Sequence, residues 1–219
     1  KLEDNGFLTD FEHERLSGSV SFLWTVRYAL HMLSGREEDR LLFDTQRQIA
    51  EEFGYVDTNN HLAVEQLMKR YYRTAKDVIY LNELLLSHYR VSNNKRFSLT
   101  SGRQISDDFI LKNKLIEQVS TDLFKRKPQA MIKLFTLMQD LKINGIHPDT
   151  IRSIRANLDL INNDFRNDSD AKALFLNLFK HTGIGLTNAL VRMNAYGLLG
   201  AYIPVFGAIV GQMQHDLFH

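Results

Sequence analysis

The stretch HLAVEQLMKRYYRTAKDVIYLNELLLSHYR, residues 61–90, places apolar side chains three or four positions apart: Val64, Leu67, Tyr71, Ala75, Val78, Leu85 and Tyr89, with polar Asn82 as the one interruption. That is the rhythm of an amphipathic helix, so the spacing predicts one long helix from about His61 to Arg90. At 1.5 Å per residue it would run about 45 Å, long enough to be the spine of a domain.

Working outward from it, the rest of the chain reads the same way. Only three prolines and twelve glycines punctuate the sequence. Thr9 followed by Glu12 is a capping-box pattern for a first helix through Leu16, Val20, Leu23, Val26/Arg27 and Leu30, ending at Gly35. A short helix from Thr45 to Phe53 stops at Gly54, and Asp57 to Asn60 form a polar loop. After the spine the pattern breaks. Ser92 to Arg96 read as an exposed loop, followed by Phe97 and Leu99. Phe109-Ile110-Leu111, a Lys112-Asn113 turn and Leu115-Ile116 then suggest a β-hairpin. Helices resume at Pro128 (to Leu141, stopped by Gly145), at Pro148 (through Ile161) and at Asp168 (to near Gly183). Two more span Leu186–Leu199 and Val205–Phe218, separated by Pro204. The expected fold is all-α, a helical bundle in two subregions with a small β-hairpin or irregular insertion near 97–123. The corresponding division is 1–96, 97–123 and 124–219.

The 219 residues can bury a genuine core, and 44% hydrophobic against 24% charged is ordinary globular composition. A net charge of +1 gives no electrostatic reason to bind nucleic acid. No run approaches the length of an apolar membrane span, and the longest, Leu198 to Val210, is broken by Gly200, Pro204 and Gly207. The absence of cysteine excludes disulfides, thiolate zinc sites and a cysteine nucleophile, and fits a reducing cytoplasm. No secretory signal pattern follows Lys1, and a chain opening without Met reads as part of something longer.

Chemistry-bearing motifs are scarce. There is no phosphate loop, and Gly183-Ile184-Gly185 lacks a third glycine, so it reads as a helix stop. Asp168-Ser169-Asp170 has the spacing of a metal-binding carboxylate pair but stands where a helix start wants acidic caps. His215 and His219 supply at most half a metal site, and no Glu or Cys completes it. No residue qualifies as catalytic or metal-binding. One cluster keeps its interest: Arg27 and His31 share a helix face at i, i+4, and Arg40 and Gln46 follow closely. That set suits contact with a phosphate or with a neighbouring domain. The competing reading is an internal salt bridge of Arg27 or Arg40 with Asp39 or Asp44.

Several blocks carry a resemblance. They are Gly6-Phe7-Leu8-Thr9, Phe22-Leu23-Trp24-Thr25-Val26-Arg27-Tyr28-Ala29-Leu30-His31, and Asp39-Arg40-Leu41-Leu42-Phe43-Asp44-Thr45-Gln46. Further on come Met68-Lys69-x-Tyr71-Tyr72-Arg73, Phe124-x-x-x-Pro128 with Leu134-Phe135, and Leu199-Gly200-Ala201-Tyr202-Ile203-Pro204. The last are Ile209-Val210-Gly211-Gln212-Met213-Gln214 and Asp216-Leu217-Phe218-His219. In this order, end to end, the chain resembles the central helical region of bacterial PII uridylyltransferase/uridylyl-removing enzymes. The resemblance implies a tandem of nucleotidyltransferase domain, helical domain, HD-type phosphohydrolase domain and two ACT domains. Such enzymes transfer UMP from UTP to a tyrosine of the PII signal protein with Mg²⁺ when glutamine is scarce, and remove it when glutamine is abundant. It further implies that both catalytic centres lie outside this sequence and that a fragment of this extent needs no cofactor of its own. A similar Arg-x-x-x-His pattern in glutamine synthetase adenylyltransferases suggests that Arg27, His31, Arg40 and Gln46 face the nucleotide or the flanking catalytic domain. The rival expectation is a free-standing helical interaction or scaffold module.

Overall fold

A computed structural model describes residues 7–59, 61–94, 102–181 and 183–209. The expected positions Phe97 and Leu99, the helix beyond 209, and His215, Asp216 and His219 fall outside that set. The described chain is mainly helical with one small sheet, and it divides into two compact units. Among the described residues, one comprises 8–81 with 208–209, the other Phe7 with 82–207.

In the Leu8–Leu81 unit, helix α1 (Asp10–Ser34) begins with the expected capping box. Glu12 N–H donates to the Thr9 hydroxyl at 3.2 Å, and Thr9 N–H donates to the Glu12 carboxylate at 2.9 Å. Gly35 closes the helix in the left-handed conformation, with φ 61°. Helix α2 (Phe43–Glu52) and the first part of α3 (Ala63–Asn94) complete the unit. Its core joins Phe22, Val26, Ala29 and Leu30 of α1, Ile49 and Ala50 of α2, and Val64, Leu67 and Met68 of α3. Arg15 grips Asp77 with two hydrogen bonds of 2.8 and 2.7 Å, pinning α1 to α3. The Arg70 guanidinium lies 4.2 Å from the Phe22 ring centre, shielding that edge of the core.

The spine is real, but its stripe differs from the expected one. Asn82 and Tyr89 are exposed, while Tyr80, Leu81, Leu84 and Ser87 are buried. The division between units falls at Leu81/Asn82, where the sequence pattern is interrupted by its polar residue. A helix that serves two cores need not keep one continuous inward face.

The second unit contains the sheet. Strands β1 (Arg103–Gln104), β2 (Phe109–Lys112) and β3 (Leu115–Gln118) run antiparallel in order, and β4 (Gly145–Ile146) adds to β3 in parallel. Lys112 pairs with Leu115, so the turn residues are Asn113 and Lys114, one position later than expected. Both have positive φ, 53° and 63°, the geometry that matches strand twist in a two-residue hairpin. Gly145, expected only to stop a helix, is a strand residue instead. A Cβ there would meet the Leu115 side chain and lie 3.0 Å from the Lys114 carbonyl, so the close pairing of β4 needs glycine.

Between the third and fourth strands come α4 (Leu123–Arg126) and α5 (Ala130–Asp140). After them follow α6 (Pro148–Ala156), α7 (Asn163–Asn167), α8 (Ser169–Asn177), α9 (Ile184–Tyr196), α10 (Leu198–Tyr202) and α11 (Pro204–Ile209). Phe109, Phe124, Met131, Leu134, Phe135, Ile151, Ile154, Leu178, Met193 and Tyr196 are fully buried in this unit. Buried hydroxyls stitch it together: Ser87 donates to the Ile146 carbonyl at 2.5 Å, and Gln118 N–H donates to Thr150 at 3.1 Å. Asp168 caps α8 by accepting from Ala171 N–H at 2.8 Å, the role its position suggested. Gly183 does not stop a helix. Its φ of 82° makes it the entry residue of α9.

Candidate functional site

Arg27 and His31 do share one face of α1, as their spacing requires, and one carboxylate holds them both. Arg27 donates twice to Asp39, at 2.7 and 3.2 Å, and the His31 Nε2 atom lies 3.4 Å from the same Asp39 oxygen. The hydrogen bond from the Arg27 guanidinium keeps the Asp39 carboxyl below its ordinary range, outweighing the opposing effect of desolvation with help from His31. Asp39 follows the α1 terminus on the segment that leads to α2, so this clamp fixes that segment against α1.

Arg40 is not part of the clamp. Its guanidinium makes two 2.9 Å bonds to Glu38, and its backbone N–H donates to the same carboxylate at 2.9 Å. Those bonds push Glu38 down to about 2. Gln46 is set further apart. It is buried on α2, where its side-chain amide donates to the Leu41 carbonyl at 2.8 Å and its Oε1 has no hydrogen-bond partner among the described residues. The structure therefore brings Arg27 and His31 together through Asp39, places Arg40 on its own ion pair, and turns Gln46 inward to hold the connecting segment.

Sequence reasoning missed what lies beside the clamp. Trp24, Tyr28 and Met32 follow one another at i, i+4 spacing, and all are exposed, at 60, 67 and 64%. Val20, one of the apolar positions through which the first helix was expected to run, leads into this row and is also exposed. The Arg27 guanidinium sits 5.3 Å from the Trp24 ring centre, so the charged pair and the aromatic row are one continuous surface. The signal was present in the sequence. A helix with apolar residues on both sides has two faces to bury.

Among the described residues, no group of three or more His, Cys, Asp or Glu side chains is placed to hold a metal ion, so no step through Mg²⁺ can be derived from them. None of the described helices is long and apolar enough to cross a membrane.

Comparison with known proteins decides the relationship. A family model described as "GlnD PII-uridylyltransferase" matches residues 1–86, and one described as "Uridylyltransferase GlnD third domain" matches residues 109–202. A bifunctional uridylyltransferase/uridylyl-removing enzyme of Pseudomonas putida is 47% identical over the whole chain, and one of Nitrosococcus oceani is likewise 47% identical. The chain belongs to the GlnD uridylyltransferase family. It spans about a quarter of the length of the relatives it matches, 24% in each case. No solved structure matches it. Within the family's layout, α1, α2 and most of α3 fall in the uridylyltransferase match, and β2 through α10 fall in the third-domain match.

Proposed function

We propose that this chain is the helical middle part of a bifunctional enzyme that uridylylates and deuridylylates the PII signal protein in response to glutamine, in the cytoplasm. The observation that carries this reading is 47% identity, end to end, to relatives whose name states both activities. Residues 1–96 act as the helical domain that follows a nucleotidyltransferase domain. Residues 97–123 form the insertion, and 124–219 lead toward an HD phosphohydrolase domain. UTP and Mg²⁺ are bound by the full-length polypeptide, and the fragment alone does not turn over.

In that setting the Arg27–His31–Asp39 clamp and Arg40 face the neighbouring catalytic domain near the UTP phosphates, with Gln46 bracing the segment from behind. Calorimetry of UTP with Mg²⁺ tests this on the present chain and on the polypeptide extended to the length of its relatives. Binding by the longer polypeptide alone, weakened several-fold by Arg27→Ala, is the expected result. Equal affinity for both, unaffected by Arg27→Ala, would reduce the domain to a spacer. Failure of the longer polypeptide to transfer UMP to PII would overturn the functional assignment itself.

A further inference from the structure

The core-facing residues of α1 are Phe22, Val26, Ala29 and Leu30, and the row Val20, Trp24, Tyr28 and Met32 lies on the opposite side of the same helix. Residues four apart form a continuous ridge, the element by which one helix packs into the groove of another. Large aromatic residues on such a ridge are the anchors that dominate binding when they are buried by a partner. Trp24 is also held in place beforehand. Arg27 lies over its ring while Asp39 fixes the Arg27 guanidinium by two hydrogen bonds, so little side-chain freedom is left to lose on docking.

We infer that the α1 ridge Val20–Trp24–Tyr28–Met32 is the docking face for the remaining uridylyltransferase portion of the same longer polypeptide. Two observations and one physical argument select that occupant over a second copy or a separate protein. Relatives of this chain are about four times its length, so most of the polypeptide that could cover the ridge is covalently attached to it. The ridge lies inside the match to the uridylyltransferase model, whereas the third-domain match begins only at residue 109. A tethered partner acts at high effective concentration and stays in place, which suits an aromatic face that would otherwise be left in water. The inference rests on the family reading proposed above and names the surface through which that reading operates.

Trp24 is the sole tryptophan of the chain, and this makes the test specific. The chain and the full-length polypeptide are labelled with 5-fluorotryptophan, and the Trp24 resonance in the longer one is assigned by its loss in Trp24→Phe. Broadening by a soluble gadolinium chelate then reports exposure, with UMP transfer to PII measured in parallel. The expected result is a strongly broadened Trp24 signal in the short chain, independent of its concentration, and a protected one in the full-length polypeptide. A Trp24→Asp substitution should leave the thermal midpoint of the short chain unchanged and lower that of the longer one.

A Trp24 signal equally exposed in both overturns the inference. So does protection that appears only as the short chain is concentrated, which would indicate a second copy, or only when PII is added. If UMP transfer proceeds with Trp24 exposed, the docking inference fails while the function stands. If Trp24 is protected and no transfer occurs, the function fails and the docking face stands.

Discussion

Helices α5 and α1 both carry apolar residues around more than half their circumference. In α5, Ala130, Met131, Ile132, Leu134, Phe135 and Met138 are all buried, because α4, α8 and α9 of its own unit pack against it. In α1, Phe22, Val26, Ala29 and Leu30 are buried and Val20, Trp24, Tyr28 and Met32 are not. The same kind of sequence is thus satisfied within one unit and left half-satisfied in the other. Polar groups follow suit. Asp108 in the sheet-bearing unit is buried between Lys127 and Lys133, whereas the Arg27–Asp39 pair near the end of α1 stands in solvent. One region is closed on itself, and the other has a face with no partner among the described residues of its own unit.

The largest effect that separates them is expected at Phe135. Its ring is fully buried 6.1 Å from that of Tyr196, so Phe135→Ala removes packing that nothing can replace. Unfolding in urea should show a loss of about 3–5 kcal/mol. A loss below about 1 kcal/mol would mean that the α5 core collapses around the hole and is less closed than it looks.

Asp108 sharpens the contrast in electrostatic terms. Burial alone would push its carboxyl up, but hydrogen bonds from Lys133 at 2.5 Å and Lys127 at 3.0 Å outweigh it and hold the group below its ordinary range. A carboxylate depressed in the folded state stabilises above its unfolded pKa of about 3.9 and loses that contribution as pH falls through the folded value. Asp108→Asn should cost about 2–3 kcal/mol at pH 7, at the low end for a buried pair because Lys127 can turn to water. The variant should also lack the acid-side slope of the parent when urea midpoints are compared between about pH 5 and 2. Parallel curves would show that Asp108 is not a buried carboxylate.

The contrast also explains what could be read from the sequence. The α1 capping box was legible because Thr9 and Glu12 act locally. So was the hairpin, whose paired apolar runs stand within a few residues of each other. The parallel strand at Gly145 was not, since its partner Leu115 lies thirty residues away and glycine signals a helix stop equally well. The Arg27–His31 pair followed from helical spacing, but its carboxylate was one of two candidates, Asp39 and Asp44. The outward ridge was missed for a different reason. Apolar spacing through Val20 marks a helix without separating its faces, and only packing tells which of two apolar faces is covered.

The smallest expected effect is the one that would break the comparison. Trp24 is 60% exposed with Arg27 over its ring, so Trp24→Ala in this chain should change stability by no more than about 0.5 kcal/mol. Phe22, two positions earlier on the same helix, points the other way under Arg70, and Phe22→Ala should cost about 3 kcal/mol. The pair holds helix, unit and substitution type nearly constant and varies only the direction of the ring. Equal losses would place Trp24 in a core of this chain and remove the distinction between the open and closed units. A large ratio, measured by the same urea titration, isolates burial as the cause and leaves the tryptophan free for a partner.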